Sequence, residues 1–183
     1  MGDYVVIDIE TSGVNSSTSQ IIGISAVLLK DGIVDGLKYE CWCQCNDLEK
    51  AVAEIVGKQA AFFEEQLPLK RAIHNLKSFI NGKTLIAKSP SFCQDFLYKA
   101  GLSAEHDITD ALDLVRAYLK GFSPYDYEDF SWSDWINGPL KRVIPCSHHL
   151  EDNFDATMIA KMIEIAKSGS LRAQLESADW YDD

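Results

Sequence analysis

The segment VVIDIETSG, residues 5–13, sets two carboxylates inside what otherwise reads as a buried strand. Taking a charge out of water is costly unless it is paired or bound to a cation, so Asp8 and Glu10 need compensation. Side chains alternate along a strand, which places Asp8 and Glu10 on one face and Val5, Ile7 and Ile9 on the other. Two hard oxygen donors side by side suit Mg²⁺ or Mn²⁺. A strand end that simply emerges into solvent is the competing explanation, and an isolated D-x-E does not decide between the two. The rest of the chain supplies the context.

With 183 residues, 46% hydrophobic and 25% charged, the chain has enough apolar material for a substantial core. One domain over residues 1–183 is expected, its core at 3–167 and an acidic tail at 168–183 that ends LESADWYDD. The net charge of −11 argues against broad attraction to polyanions, which draws on a basic surface. It does not exclude a nucleic-acid enzyme, because divalent cations invert the charge of an acidic site. No apolar run reaches membrane-spanning length and no basic-then-apolar leader opens the chain, so a cytoplasmic protein with no membrane partner is expected. Five cysteines, an odd number, fit a reducing compartment better than a disulfide framework. Cys41, Cys43 and Cys45 in YECWCQC alternate, and are expected to line one sheet face as small side chains rather than to ligate zinc.

Strand signals dominate the front half. Tyr4–Ile9 is followed by the polar loop TSGVNSSTSQ, then IIGISAVLLK, a turn at DGIV, and LKYECWCQC, which together predict an antiparallel meander. LKRAIHNLKSFIN predicts a helix with Leu69, Ala72, Ile73, Leu76, Phe79 and Ile80 on one face and Gly82 closing it. TLIA is a short buried strand, Pro90 and Ser91 open a helix that Gly101 stops, and DITDALDLVRAYLKG repeats that unit. The clearest helix is DATMIAKMIEIAKSG, whose buried face runs from Asp155 through Met158, Ile159, Met162, Ile163 and Ala166. Strands first and strand–helix alternation later imply an α/β fold, a mixed sheet flanked by helices.

VVIDIETSG near the start, LIAKSPSFCQDFL in the middle and HHLEDNFDATMIAKM near the end resemble, in that order, the DEDD exonuclease superfamily. The similarity is greatest to the DEDDh branch, which includes the epsilon proofreading subunit of bacterial DNA polymerase III, ribonuclease T and oligoribonuclease. It spans residues 3–167 and is most specific at the first motif, where the acid pair is followed by Thr11, Ser12 and Gly13. The resemblance implies a ribonuclease H-like fold, two Mg²⁺ or Mn²⁺ ions, and removal of nucleotides from the 3′ ends of single-stranded DNA or RNA, with a polymerase as a possible protein partner. Two departures stand out. Aligning LIAKSPSFCQDFL without gaps puts Cys93 where the second motif has its acid, and Lys88 and Ser89 replace the usual His-Asn pair. Asp95 lies two residues on, turned by about 200° around a helix, which favours solvent over metal. The third motif needs a His ahead of an Asp at a helix head. Asp155 fits the head better than Asp152 does, and His149 or His148 precedes it at slightly too long a spacing, which a loop absorbs.

By resemblance, Asp8 would bridge both ions, Glu10 and Asp155 would hold the one that activates water, and His149 or His148 would accept the proton. Thr11, Ser12, Gly13 and Gly57, with Cys93 from the second motif, would line the substrate site. Cys93 is a poor ligand for a hard ion, so a member with reduced or no catalysis that binds nucleic acid or a protein partner is the alternative. In IVGKQAAFF, read as a helix, Phe62 and Phe63 are core residues first and base-stacking residues second. Lys88, Lys99, Lys141 and Arg142 are candidate phosphate contacts, and Trp132 and Trp135 share one helical face.

Overall fold

The computed structural model describes residues 2–119, 131 and 156–169. Five strands form one sheet in the order β3-β2-β1-β4-β5, with β1 (Tyr4–Thr11) at its centre. β2 (Ile21–Lys30) pairs antiparallel with β1, and β3 (Ile33–Trp42) pairs antiparallel with β2. β4 (Thr84–Ala87) runs parallel to β1, and β5 (Ile108–Asp110) parallel to β4. This is the mixed sheet, antiparallel on one side and parallel on the other, that the sequence implies.

The central position of β1 explains its composition. Val5, Val6 and Ile7 are all fully buried because each face of the strand carries helices. On one face Val6, Val27, Leu29 and Ile86 meet α5 (Ala111–Leu119) and α6 (Ala156–Lys167). On the other, Val5, Ile7, Ile9, Ile24 and Leu85 meet α3 (Leu69–Ile80) and α4 (Pro90–Lys99). A third, smaller cluster of Ile22, Cys45, Leu48, Ala53 and Phe63 lies beneath α1 (Lys50–Ile55) and α2 (Ala60–Glu64).

Periodicity located the helices well. In α3 the buried residues are Ala72, Ile73, Leu76 and Ile80, and the helix closes on Asn81 in the left-handed conformation, followed by Gly82 with φ of 74°. In α6 the buried face holds Ala156, Ile159, Ala160, Met162, Ile163 and Ala166. Three expectations need correction. The β2–β3 turn is only Asp31-Gly32, both with positive φ, as a two-residue hairpin of this twist requires; Ile33 and Val34 therefore belong to β3. β3 ends at Trp42, so Cys41 and Cys43 join the cluster under α3 and α4 while Cys45, past the strand end, turns into the smaller cluster. IVGKQAAFF is not one helix: Gly57, with φ of 68°, breaks it into α1 and α2. Phe63 is fully buried, as its core assignment required. Among the described residues no helix is long and apolar enough to cross a membrane.

Candidate active site

Asp8 and Glu10 stand near the end of β1, on the face shared with Val6. The strand emerges there: Asp8 is half-buried and Glu10 exposed, so the desolvation cost is only partial. Register places two rows across the sheet at this point, Asp8–Ser25–Glu40 and Glu10–Gly23–Trp42. Directly opposed residues have their Cβ atoms about 5 Å apart, so the rows bring Glu40 and Trp42 to the acid pair through β2. All six of these residues, with Ile55, Val56 and Lys58, line a cavity of about 390 Å³.

Gly23 makes the second row possible. A Cβ there would lie 2.9 Å from Cζ3 of Trp42 and 3.1 Å from Cβ of Glu10, so only glycine lets the indole lie across β2 beside the carboxylate. Phe62 and Phe63 meet the Trp42 ring edge-on, at centroid distances of 6.0 and 5.6 Å. Lys58 Nζ sits 5.7 Å from the Trp42 centroid and 5.2 Å from that of Phe62, a cation–π arrangement that holds an ammonium at the cavity wall.

The segment after the acids is fixed by its own hydrogen bonds. The β1–β2 register slips between Glu10 and Thr11, a bulge of the kind that re-aims side chains. Thr11 Oγ1 donates to the Gly13 carbonyl at 2.8 Å, Ser12 N donates to the Gln20 carbonyl at 2.9 Å, and Gln20 N donates to Ser12 Oγ at 3.0 Å. Gly13 packs closely against Ser19, whose Oγ would stand 2.6 Å from a Cβ there and would have to rotate away to admit one. Gly57 is exposed in the α1–α2 turn, between Val56 and Lys58 of the cavity wall.

The head of α6 reaches the same place. Ala156 N donates to Ser25 Oγ at 3.2 Å, and Ser25 is the register partner of Asp8. One of the helix's otherwise unpaired N–H groups is thereby satisfied, and the positive end of its dipole meets the row that contains Asp8. Asp155, His148 and His149, and with them Trp132, Trp135, Lys141 and Arg142, lie outside the described residues. Among the described residues no three His, Cys, Asp or Glu side chains are close enough together to hold a metal ion.

Cys93 is buried on α4. Burial first and the charge of Asp8 second push its thiol up to about 12, which keeps it protonated at neutral pH. Asp95, two residues on, is exposed and lies on the other side of α4 from Cys93, as the helical rotation predicts. Sequence reasoning did not single out Gly23, Ser25, Glu40, Trp42 and Lys58. Alternation in β2 and β3 fixes which of these share a face, but the pairing that carries them to Asp8 and Glu10 depends on two register slips with no local signature.

The sequence pattern of the RNase_T exonuclease family matches residues 5–133. A PolC-type DNA polymerase III from Halalkalibacterium halodurans is 29% identical over 121 residues, which cover 62% of this chain and 8% of the polymerase. The PolC-type polymerase of Bacillus subtilis is 30% identical over 121 residues, with the same 62% and 8% coverage. The chain thus spans less than a tenth of the length of these relatives. E. coli exonuclease I in complex with a dA16 oligonucleotide superposes with a TM-score of 0.63 at 12% identity, over 97% of this chain and 42% of the enzyme. The zinc-bound complex of E. coli exonuclease I with single-stranded DNA gives a TM-score of 0.60 at 12% identity, over 97% and 43%. Those structures share the fold. With the family pattern over more than half of its length, this chain belongs to the exonuclease family, within the DEDD-type 3′–5′ exonuclease superfamily.

Proposed function

We propose that this chain is a divalent-metal-dependent 3′–5′ exonuclease acting on the 3′ ends of single-stranded DNA or RNA. The observation that carries the reading is the convergence of Asp8 and Glu10 with the head of α6, joined through the bond from Ala156 to Ser25. Ala156 directly follows Asp155, which supports Asp155 as the third carboxylate. Three carboxylates form the hard oxygen donor set that Mg²⁺ or Mn²⁺ prefers, and Asp8, Glu10 and Asp155 would hold such ions. When bound, such ions polarise the scissile phosphate and lower the pKa of water.

The remaining work falls to the chain itself. His149 or His148 accepts the proton of the attacking water, for which a neutral imidazole is suited near pH 7. The braced Thr11–Gly13 turn and the exposed Gly57 let the backbone approach the terminal nucleotide closely. Asp95 is left out of the ligand set because it faces solvent. The PolC-type relatives are polymerases, which supports a polymerase as a partner of this domain.

Cys93 favours a second reading. A buried, protonated thiol at that position would leave a metal ion with a weakened donor set, which suits a domain that binds a 3′ end without turning it over. The two are separated by incubating the purified chain with 5′-labelled single-stranded DNA and RNA, with and without Mn²⁺. The first reading predicts Mn²⁺-dependent shortening from the 3′ end that Asp8→Ala abolishes. Binding without shortening supports the second, and neither binding nor shortening rejects both.

A further inference from the structure

The acidic charge of this molecule is unevenly distributed. Residues 66–94 contain no Asp or Glu, yet hold Lys70, Arg71, Lys77, Lys83 and Lys88 in a chain whose net charge is −11. Three of these cations belong to α3. Lys70, His74 and Lys77 recur at the spacing of one helical face, with Arg71 beside them, and all four are exposed. None of Lys70, Arg71 and Lys77 is within salt-bridge distance of an acid among the described residues. From Lys70 to Lys77 the stripe runs about 10 Å along the helix.

This stripe borders the first of two grooves that meet at Ala100, the second of which reaches Ser12 just past the acid pair. A groove of about 610 Å³ is lined by Lys70, Arg71, His74, Lys77, Ala100 and Gly101. A second, also of about 610 Å³, is lined by Ser12, Gln20, Gln44, Asn46, Lys99 and Ala100. Ala100 borders both, and α3 gives Leu69 to one and Lys70 to the other. Ser12, two residues past Glu10, opens the second groove. Its lining mixes hydroxyls and amides with the apolar Ile21, Leu69 and Phe96, and Asp47 is its one acid among the described residues. Lys99 donates to the carbonyls of Ser16 and, at 3.4 Å, Ser19, which pins the β1–β2 loop against α4 and keeps the groove walled.

We propose that these two grooves form one track for single-stranded nucleic acid, along which the strand 5′ of the scissile linkage runs from Ser12 across Ala100 to the cations of α3. The inference rests on the nuclease reading and adds to it where the rest of the strand lies. Walls near the site that offer both apolar surface and hydrogen-bonding groups suit bases and sugars, and cations further out suit phosphates, whose contacts position a strand without reading its sequence. A local stripe of this kind also resolves how a chain with net charge −11 holds a polyanion away from its metal site.

The test uses the whole chain carrying Asp8→Asn, so that strand binding is read without turnover, with and without Lys70→Ala, Arg71→Ala and Lys77→Ala together. These sites are exposed, and circular dichroism confirms that the helix remains. Binding of a labelled oligothymidylate of about 15 nucleotides is followed against salt. Losing three phosphate contacts should lower the slope of log K against log salt by about 2, since each is worth roughly 0.7 on a single strand. In the chain with Asp8 restored, hydrolysis efficiency on that strand should fall at least tenfold while a dinucleotide is cleaved as before. A reduced slope with no hydrolysis in any form keeps the track and rejects the nuclease reading. An unchanged slope, or equal losses on long and short substrates, overturns the track. It is equally overturned if the triple substitution releases a bound polyglutamate peptide while leaving the slope intact, which would assign the stripe to an acidic protein partner.

Discussion

Gly23 shows how closely this site is built around single residues. Any side chain there collides with Trp42 and Glu10, so Gly23→Val should cost about 1–3 kcal/mol through overpacking. Urea denaturation measures that cost, and the surviving folded fraction should bind Mn²⁺ more weakly because Glu10 has been displaced. Cys93 and Cys43 supply a second prediction. Both thiols are pushed up to about 12, mainly by burial, against a value near 8.5–9 in the unfolded chain. Between those values the unfolded state has released protons that the folded state keeps. Stability is therefore fully present below about pH 8 and declines as pH rises toward 12. The urea midpoint should drop between pH 8 and pH 10, and Cys93→Ala should make the drop shallower; an identical drop in the variant would contradict the burial argument. At this scale the sequence spoke only where alternation was enough. Asp8 and Glu10 were recognisable as a same-face pair. Trp42 and Lys58 were not, because their place beside Glu10 is set by tertiary contact.

Among the elements, helices were the more legible, since a 3.6-residue period carries its own signature over three turns. α3 is the clearest instance: its predicted face is the buried one, and Leu76 at its middle is fully enclosed. Leu76→Ala should destabilise by about 2–5 kcal/mol, measured by thermal or urea unfolding, from lost burial and the cavity left behind. A loss under 1 kcal/mol would mean that α3 is not anchored as described. Strand ends were less legible. The two-residue turn at Asp31-Gly32 pulls Ile33 and Val34 into β3, and an apolar-looking run cannot announce that in advance. The break between α1 and α2 was hidden likewise, because Gly57 sits in an otherwise helix-compatible stretch.

For the molecule as a whole, the central feature is a mixed sheet whose middle strand delivers two acids to the spot where the last long helix begins. That long-range meeting, between residues 8 and 156, was anticipated from motif order; what fixes it physically is the bond from Ala156 to Ser25 and the apolar contact of α6 with Val6 and Val27. Net charge averaged over the chain hides the acid-free segment at residues 66–94, whose cations are outweighed by acids elsewhere. Calorimetric titration of Mn²⁺ into the whole protein, beside Asp8→Asn, tests the account most directly. The account predicts saturable binding to the unaltered chain that is lost, or weakened at least tenfold, when Asp8 no longer carries its charge. Equal binding by both proteins, or none by either, would contradict it.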